Sequence, residues 1–180
     1  MDIRVKRFSP DNEADFFDFH TRVGGECFCT AWWVPSWEAW GEATAESNRQ
    51  LRTELLARDE FDGYLLYLDG AVVGWCQVGA RDRLSKLVTQ FGLEAEDEVW
   101  AISCFQIDPQ FRGQGLATHL LAAVLADLRE RGIGRVQAYP KLDARLPADQ
   151  QWTGPRALYE QAGFQMVREN KSRAILEIAL

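Results

Sequence analysis

The sequence has little histidine and few cysteines. His20 and His119 are its only histidines, so a metal site built on imidazole has few ligands to draw on. The four cysteines are Cys27, Cys29, Cys76 and Cys104. One Cys-x-Cys pair and two isolated cysteines do not make the two close pairs that a structural zinc site normally presents. We therefore predict no metal, and four reduced thiols.

Long apolar runs and clusters of basic residues are also missing. No stretch approaches the length of a membrane span, and the opening Met-Asp-Ile-Arg-Val-Lys-Arg-Phe has no apolar signal core. Acidic residues outnumber basic ones by 27 to 20, for a formal net charge of −7. Nucleic acids and anionic membranes are bound through clustered Lys and Arg, so neither is expected as a partner. A soluble cytoplasmic protein is predicted.

What is present indicates an ordinary globular protein. With 180 residues and 47% hydrophobic content, one domain spanning residues 1–180 is expected. Periodicity and turn signals predict the order β-α-α-β-β-(α)-β-α-β-α-β-β, with no internal repeat. The main predicted segments after the first strand are a helix from Ser9-Pro10-Asp11 to about Val23, a helical stretch from Ser36 to about Arg58, a hairpin turn at Asp69-Gly70 and a helical excursion between Arg81 and Glu98.

The most informative segment is a glycine-containing turn at residues 109–117, Pro-Gln-Phe-Arg-Gly-Gln-Gly-Leu-Ala. It follows an almost continuously apolar strand, Val99 to Ile107, and precedes an amphipathic helix. Gly113 and Gly115 permit backbone angles closed to other residues, and the first amides of a helix have no partners within it. Such a turn is suited to binding phosphate, although a glycine turn alone is a weak signal.

Two motifs together resemble a known family. The strand end Ile107-Asp108-Pro109 with the turn, and the later Ala157-Leu158-Tyr159-Glu160-Gln161-Ala162-Gly163-Phe164, look like the acyl-CoA-binding core of the GNAT superfamily of N-acyltransferases. Arg112, Gly115 and Ala117 satisfy the family pattern [Q/R]-x-x-G-x-[G/A]. The close match covers about residues 99–164. It implies an α/β fold with an α+β mixed sheet of six to seven mostly antiparallel strands, flanked by helices and splayed between the fourth and fifth strands.

The resemblance also implies how acetyl-CoA, or another acyl-CoA, would bind as co-substrate. In similar proteins the main chain of the turn holds the pyrophosphate, and the fourth strand pairs with the pantetheine arm like an added strand. The implied cofactor-binding residues are Gln106, Ile107, Arg112, Gly113, Gln114, Gly115, Ala117 and Thr118.

For the chemistry, Tyr159 matches the family tyrosine beside the thioester sulfur, where a phenol can protonate the departing thiolate. Packing of the short helix is the alternative role for this side chain. Several relatives place a carboxylate on the fourth strand, but this chain has Ala101 at that position. Glu98 is the candidate base, acting through water, although an acidic residue before a strand is more often only solvated.

The acceptor side is expected at the aromatic loop Cys27-Phe28-Cys29-Thr30-Ala31-Trp32-Trp33. Cys27, Cys29, Trp32 and Trp33 are the candidate substrate-binding residues. Trp33, Trp37 and Trp40 fall at helical spacing, which is typical of a packed aromatic face. As a pocket wall, the same rings could bind a cation.

These observations predict an N-acyltransferase, most simply an N-acetyltransferase, that acts by direct transfer on a small-molecule amine, as a monomer or homodimer. Two alternatives stay open at this stage. The absent strand carboxylate is compatible with a non-catalytic acyl-CoA-binding or regulatory module, and the family also includes enzymes that modify proteins.

Overall fold

A seven-stranded mixed sheet forms the centre of the molecule. The computed structural model describes residues 2–60, 62–143 and 145–180. The strands are β1 (Ile3–Arg7), β2 (Gly63–Leu68), β3 (Ala71–Ala80), β4 (Val99–Ile107), β5 (Arg135–Ala138), β6 (Gln165–Glu169) and β7 (Ala174–Ala179). Their order across the sheet is β1-β2-β3-β4-β5-β7-β6. Only β4 and β5 pair in parallel, and the other pairs are antiparallel. The predicted fold class is confirmed.

Six α-helices flank the sheet in the described residues. They are α1 (Glu13–Arg22), α2 (Trp37–Glu42), α3 (Ala45–Ala57), α4 (Ser85–Phe91), α5 (Leu116–Glu130) and α6 (Arg156–Gln161). The helical stretch predicted from Ser36 to Arg58 is two helices, because Thr44 is extended and caps α3 by accepting a hydrogen bond from the Ser47 amide at 3.1 Å. Within the described residues, no helix combines the length and the apolar character needed to cross a membrane.

The β2–β3 hairpin turn has the predicted geometry. Asp69 and Gly70 both have positive φ, 48° and 88°, as a type I′ turn requires. This tight connection sets the register of β2 against β3 and places β3 beside β4. It therefore helps to fix the strand from which the candidate site is built.

Each face of the sheet carries its own apolar core. On one face, Leu120, Val124 and Leu128 of α5 are completely buried against the strands. Each such leucine contributes about 1.5–3 kcal/mol through burial. On the other face, Phe16 of α1 packs edge-on against Trp75 of β3, with ring centroids 4.8 Å apart. These two cores, together with a third cluster that contains Trp32 and Ala101, enclose β4.

The sheet opens where β4 outlasts β5. The two strands pair only over Val99–Ile102 and Arg135–Ala138. Beyond this point β4 contains a bulge: Val78 pairs with Ile102 and Gln77 with Cys104, which leaves Ser103 as the extra residue. A bulge bends its strand and increases the local twist. The second half of β4 thus has one edge free of β5.

Candidate functional site

A cavity of about 760 Å³ lies at the opening between β4 and β5. Five segments form its wall: the loop before α2, α2 itself, the second half of β4, the glycine turn, and the segment before α6. The predicted site residues that line it are Cys27, Cys29, Trp32, Gln106, Ile107, Arg112, Gly113, Gly115 and Ala117. Among the described residues, the predicted site residues that do not line it are Trp33, Glu98, Gln114, Thr118 and Tyr159. The cavity therefore brings together residues predicted to bind the cofactor and residues predicted to bind the acceptor.

The glycine turn forms one end of the cavity. Gly113 and Gly115 both have φ of +76°, a left-handed conformation that disfavours other residues. A Cβ built on either glycine would meet no atom within 4 Å, so both face open space. The first helical hydrogen bond of α5 runs from the His119 amide to the Gly115 carbonyl, which leaves the preceding amides without helical partners. Unpaired amides and the helix dipole together make this end attractive to an anion.

The backbone of β4 forms the floor. The Asp108 amide donates to the Val73 carbonyl in β3 at 2.9 Å. By alternation along the strand, Gln106 also directs its backbone towards β3, whereas Phe105 and Ile107 direct theirs towards the opening. Sequence reasoning selected Gln106 and Ile107 for backbone contacts. Only Ile107 of this pair presents its main chain to the cavity, and Phe105 was missed.

Two groups already bond to this open edge. The Phe105 amide donates to the Trp152 carbonyl at 2.8 Å, so the segment before α6 continues the ladder that β5 leaves. The Arg112 guanidinium donates from Nε to the Ile107 carbonyl at 3.1 Å. Arg112 thus lies beside the strand edge as well as in the turn.

Tryptophans form the other end of the cavity. Trp32 donates from Nε1 to the Ser103 carbonyl at 3.1 Å, which holds the indole against the bulge. Its ring centroid lies 5.4 Å from that of Trp37 and 5.5 Å from that of Trp152. Together with Trp40 these rings line the cavity, and we call these four residues the tryptophan wall. Trp33, predicted to share a helical face with Trp37 and Trp40, precedes α2 and faces a different pocket.

Comparison with known proteins decides the family. The model of the acetyltransferase (GNAT) family matches residues 27–164. The chain belongs to the GNAT family. No curated protein matches the sequence.

Solved GNAT structures share the whole fold. The PaiA N-acetyltransferase of Thermoplasma acidophilum, solved with coenzyme A, has a TM-score of 0.62 at 13% identity, with 100% of each chain covered. The ribosomal-protein-alanine N-acetyltransferase of Brucella melitensis has a TM-score of 0.62 at 19% identity, covering 98% of this chain and 99% of that one. An N-acetyltransferase of Staphylococcus aureus Mu50 has a TM-score of 0.60 at 13% identity, with 99% of each chain covered. At these identities the likeness concerns the fold alone.

Tyr159 of this GNAT chain is completely buried. Its hydroxyl donates to the Thr153 carbonyl at 2.6 Å, and burial raises its pKa well above the ordinary value. A Cβ built on Gly154 would come within 2.4 Å of the hydroxyl, so this turn encloses the phenol closely. In the structure Tyr159 therefore anchors the segment that carries Trp152, and the role of proton donor stays a prediction.

Glu98 lies at the other end of β4 from the cavity. Its side chain is exposed, just before the strand begins. Ser103, the first residue of β4 to line the cavity, is about 17 Å further along at the spacing of a strand. The structure does not bring Glu98 to the other candidate residues, and its role as base also stays a prediction.

Cys29 belongs to a group of neutral, buried polar side chains, and Cys27 lies half-buried at its edge. His20 donates from Nδ1 to the Phe16 carbonyl at 2.9 Å, and its Nε2 lies 3.3 Å from the Cys29 sulfur, which is itself 3.0 Å from the Cys104 sulfur. Burial lowers the His20 pKa to about 3. A hydrogen bond with Cys29, together with burial, raises the pKa of Cys27, and burial raises that of Cys29. These thiols are poor nucleophiles, because the reactive form is the thiolate.

Ser103 is a polar residue of the site that sequence reasoning missed. Its Oγ is buried with no hydrogen-bond partner among the described residues, and the residue lines the cavity. The available signal was a single hydroxyl within an otherwise apolar strand, yet the bulge that directs it cannot be read from periodicity. No group of three or more His, Cys, Asp or Glu side chains in the described residues is arranged to hold a metal ion.

Proposed function

We propose that the chain is an N-acetyltransferase that moves the acetyl group of acetyl-CoA to the amine of a small molecule by direct transfer. The observation that carries this proposal is one continuous cavity. It connects an anion-attracting helix N-terminus, an open strand edge and an apolar pocket. An elongated ligand with a phosphate group, an amide-containing arm and an acyl end matches this sequence of surfaces.

The residues present fit coenzyme A. We expect the amides of Gly113, Gly115 and Ala117 to bind the pyrophosphate, and the open space at both glycines supports this. Ile107 offers its backbone to the pantetheine arm. Arg112 contributes positive charge at the junction of the two surfaces. Gln114 and Thr118, predicted contacts, are exposed in the turn and at the start of α5.

Bound acetyl-CoA supplies its acyl group as a thioester, which the acceptor amine attacks with loss of the CoA thiolate. The protein must hold the two reactants together and exclude water, which can supply a large part of the rate. The tryptophan wall and Phe105 make this end apolar. Ser103 Oγ offers a free hydrogen-bonding group beside the bulge. Tyr159 is the proposed proton donor to the thiolate, once its hydroxyl leaves the Thr153 carbonyl.

A small acceptor is favoured over a protein acceptor because the acceptor end is covered. The loop carrying Trp32 and the segment carrying Trp152 meet over it, with their rings 5.5 Å apart. A peptide substrate would need an open groove for its backbone on both sides of the amine.

Binding and turnover test the proposal separately. Isothermal calorimetry should detect acetyl-CoA binding, and a panel of small amines with thiol detection should then identify acceptors. Absence of binding by acetyl-CoA and longer acyl-CoAs at millimolar concentration would refute acyl-CoA dependence. Binding without transfer to any small amine would instead favour a regulatory module, and transfer to peptides alone a protein acetyltransferase.

A further inference from the structure

We propose that the acceptor of this protein carries a carboxylate beside its amine on an apolar or aromatic body, and that Lys86 favours the carboxylate. The inference rests on the proposed function, since it names the substrate class of the same cavity. It departs from the simpler expectation that the tryptophan wall receives a cation.

Lys86 lies behind the tryptophan wall. Its Nζ is 3.7 Å from the ring centroid of Trp37, and about as far from Trp32 as from Trp40, at 6.0 and 5.9 Å. All three rings line the cavity, whereas Lys86 does not. The cation-binding surface of Trp37 is thus already occupied by a side chain of the protein.

The charge of Lys86 has no counterion among the described residues. The residue is 7% exposed, and its Nζ has no hydrogen-bond partner among the described residues. Burial lowers the Lys86 pKa to about 8, which leaves the amine mostly protonated at pH 7. A buried cation without a counterion creates a positive potential that reaches the far side of the rings.

Arg173 repeats the arrangement at the Trp152 end of the wall, and it does not line the cavity either. Its guanidinium lies 5.0 Å from the Trp152 ring centroid and 5.7 Å from that of Trp32. Among the described residues, its guanidinium donates to two neutral oxygens, the Tyr139 carbonyl and Thr153 Oγ1. A second cation therefore adds to the potential of the first.

Negative charge is scarce around the same cavity. Asp149 is the only acidic residue among the described residues that line it, and Asp149 is exposed. A purely cationic ligand would meet two fixed positive charges behind the rings and one solvated carboxylate in front. A ligand carboxylate at the ring edges, which carry the positive end of the aromatic quadrupole, is attracted instead.

This substrate class also reduces the need for a general base to deprotonate the acceptor amine. Ala101 occupies the position on β4 at which several similar proteins carry a carboxylate. An α-amine beside a free carboxylate is more basic than a peptide N-terminus, whose pKa is near 8, because the carboxylate stabilises the ammonium, but it is still less basic than a lysine-like amine with a pKa of about 10.4. Such an acceptor needs less help in losing its proton.

The test compares two probes that share a phenyl ring and differ in charge, 3-phenylpropanoate and 2-phenylethylamine. In calorimetry with CoA present, the wild type should bind 3-phenylpropanoate at least about tenfold more tightly than 2-phenylethylamine. Lys86→Met should bring the two affinities to within about twofold, and Lys86→Arg should keep the preference. Lys171→Met, at an exposed position remote in sequence from α4, serves as the control and should change neither affinity.

Several outcomes would overturn the inference. They are equal or tighter binding of the amine by the wild type, an unchanged preference in Lys86→Met, and no binding of either probe at millimolar concentration. The thermal midpoint of Lys86→Met checks folding, and we expect it to stay level or rise because an unpaired buried charge is removed. Measuring CoA binding in the same samples separates the two proposals. If the wild type does not bind CoA, the proposed function is refuted. If it binds CoA but does not prefer the carboxylate probe, only this inference is refuted.

Discussion

Tyr159 and Tyr139 form a matched pair of buried phenols. Each is fully buried and donates one hydrogen bond of 2.6 Å, Tyr159 to the Thr153 carbonyl and Tyr139 to Gln137 Oε1. If Tyr159 protonates the CoA thiolate, Tyr159→Phe should lower kcat by about 100-fold or more, since a positioned general acid contributes on that scale. Steady-state kinetics with an identified acceptor measures the effect, and calorimetry should find acetyl-CoA affinity largely retained.

Tyr139→Phe supplies the control for that prediction. Both variants lose one buried hydrogen bond, worth about 0.5–1.5 kcal/mol of folding free energy, so both should lower the thermal midpoint to a similar extent. Only the Tyr159 variant should lose turnover. Equal losses of kcat in the two variants, or none in either, would leave Tyr159 with its structural role alone.

His20 links stability to pH. Burial lowers its folded-state pKa to about 3 from an ordinary value of 6.5. Between these values the unfolded chain binds the extra proton, so the stabilising contribution is present above pH 6.5 and is lost as the pH falls towards 3. From pH 7 to pH 5 the loss is about 2 kcal/mol.

Chemical denaturation of the wild type and His20→Leu at both pH values measures this contribution. The stability advantage of the wild type should shrink by about 2 kcal/mol at the lower pH. His119→Gln, at an exposed position of α5, should have about the same free energy of unfolding as the wild type at both pH values. A constant difference between wild type and His20→Leu would mean that folding does not lower the pKa of His20.

At the scale of elements, α5 carries a glycine with the same backbone angle at each end. Gly115 precedes the helix and Gly132 follows it, both at φ of +76°, with no atom within 4 Å of an added Cβ. Valine at either position is strained to a similar degree. Gly115→Val should weaken acetyl-CoA binding at least about tenfold, because its side chain enters the cavity next to the predicted pyrophosphate site.

Gly132→Val should show the same loss of thermal stability with unchanged affinity. Calorimetry and thermal melting on the two variants separate strain from obstruction. Retained affinity in Gly115→Val would place the pyrophosphate elsewhere.

The elements were largely predictable from the sequence, because their signals are local. The apolar run of β4, the glycine turn and the apolar spacing of α5 each specify their own conformation. The split between α2 and α3 was missed since a capping threonine inside a helical pattern is a weak signal. Contacts between distant segments, such as Lys86 against Trp37, were not predictable, because no local pattern records what lies opposite a side chain in space.

The candidate site was predicted unevenly for the same reason. The turn residues were found because their backbone chemistry belongs to a contiguous motif. Phe105 and Ser103 were missed, since the bulge decides which groups of β4 face the opening. Trp33 was grouped with Trp37 by helical spacing, but α2 begins only at Trp37.

At the scale of the molecule, the sheet consists of two parts joined weakly at the centre. Strands β1 to β4 meet β5, β7 and β6 through four residue pairs between β4 and β5. A ligand in the opening touches the turn, β4 and the segment before α6 at once. Acetyl-CoA at 100 times its dissociation constant should therefore raise the free energy of unfolding by about 2.7 kcal/mol.

Hydrogen exchange locates that stabilisation. Protection on adding acetyl-CoA should be greatest at the Ile107 amide and at the amides of residues 113–118. The amides of β1, which lie at the sheet edge away from the cavity, should change only through the global stability. Protection confined to β1 or β6 would show a different binding position.

The tryptophan wall makes the protein its own optical probe. Four of the seven tryptophans line the cavity, at positions 32, 37, 40 and 152. Indole emission responds to polarity and to nearby charge, so a ligand that displaces water from these rings should shift the emission spectrum of the unmodified chain. Lys86 and Arg173 lie against the same rings, and their removal should alter the starting spectrum. Acceptors could thus be screened by fluorescence before any acetyl group is transferred.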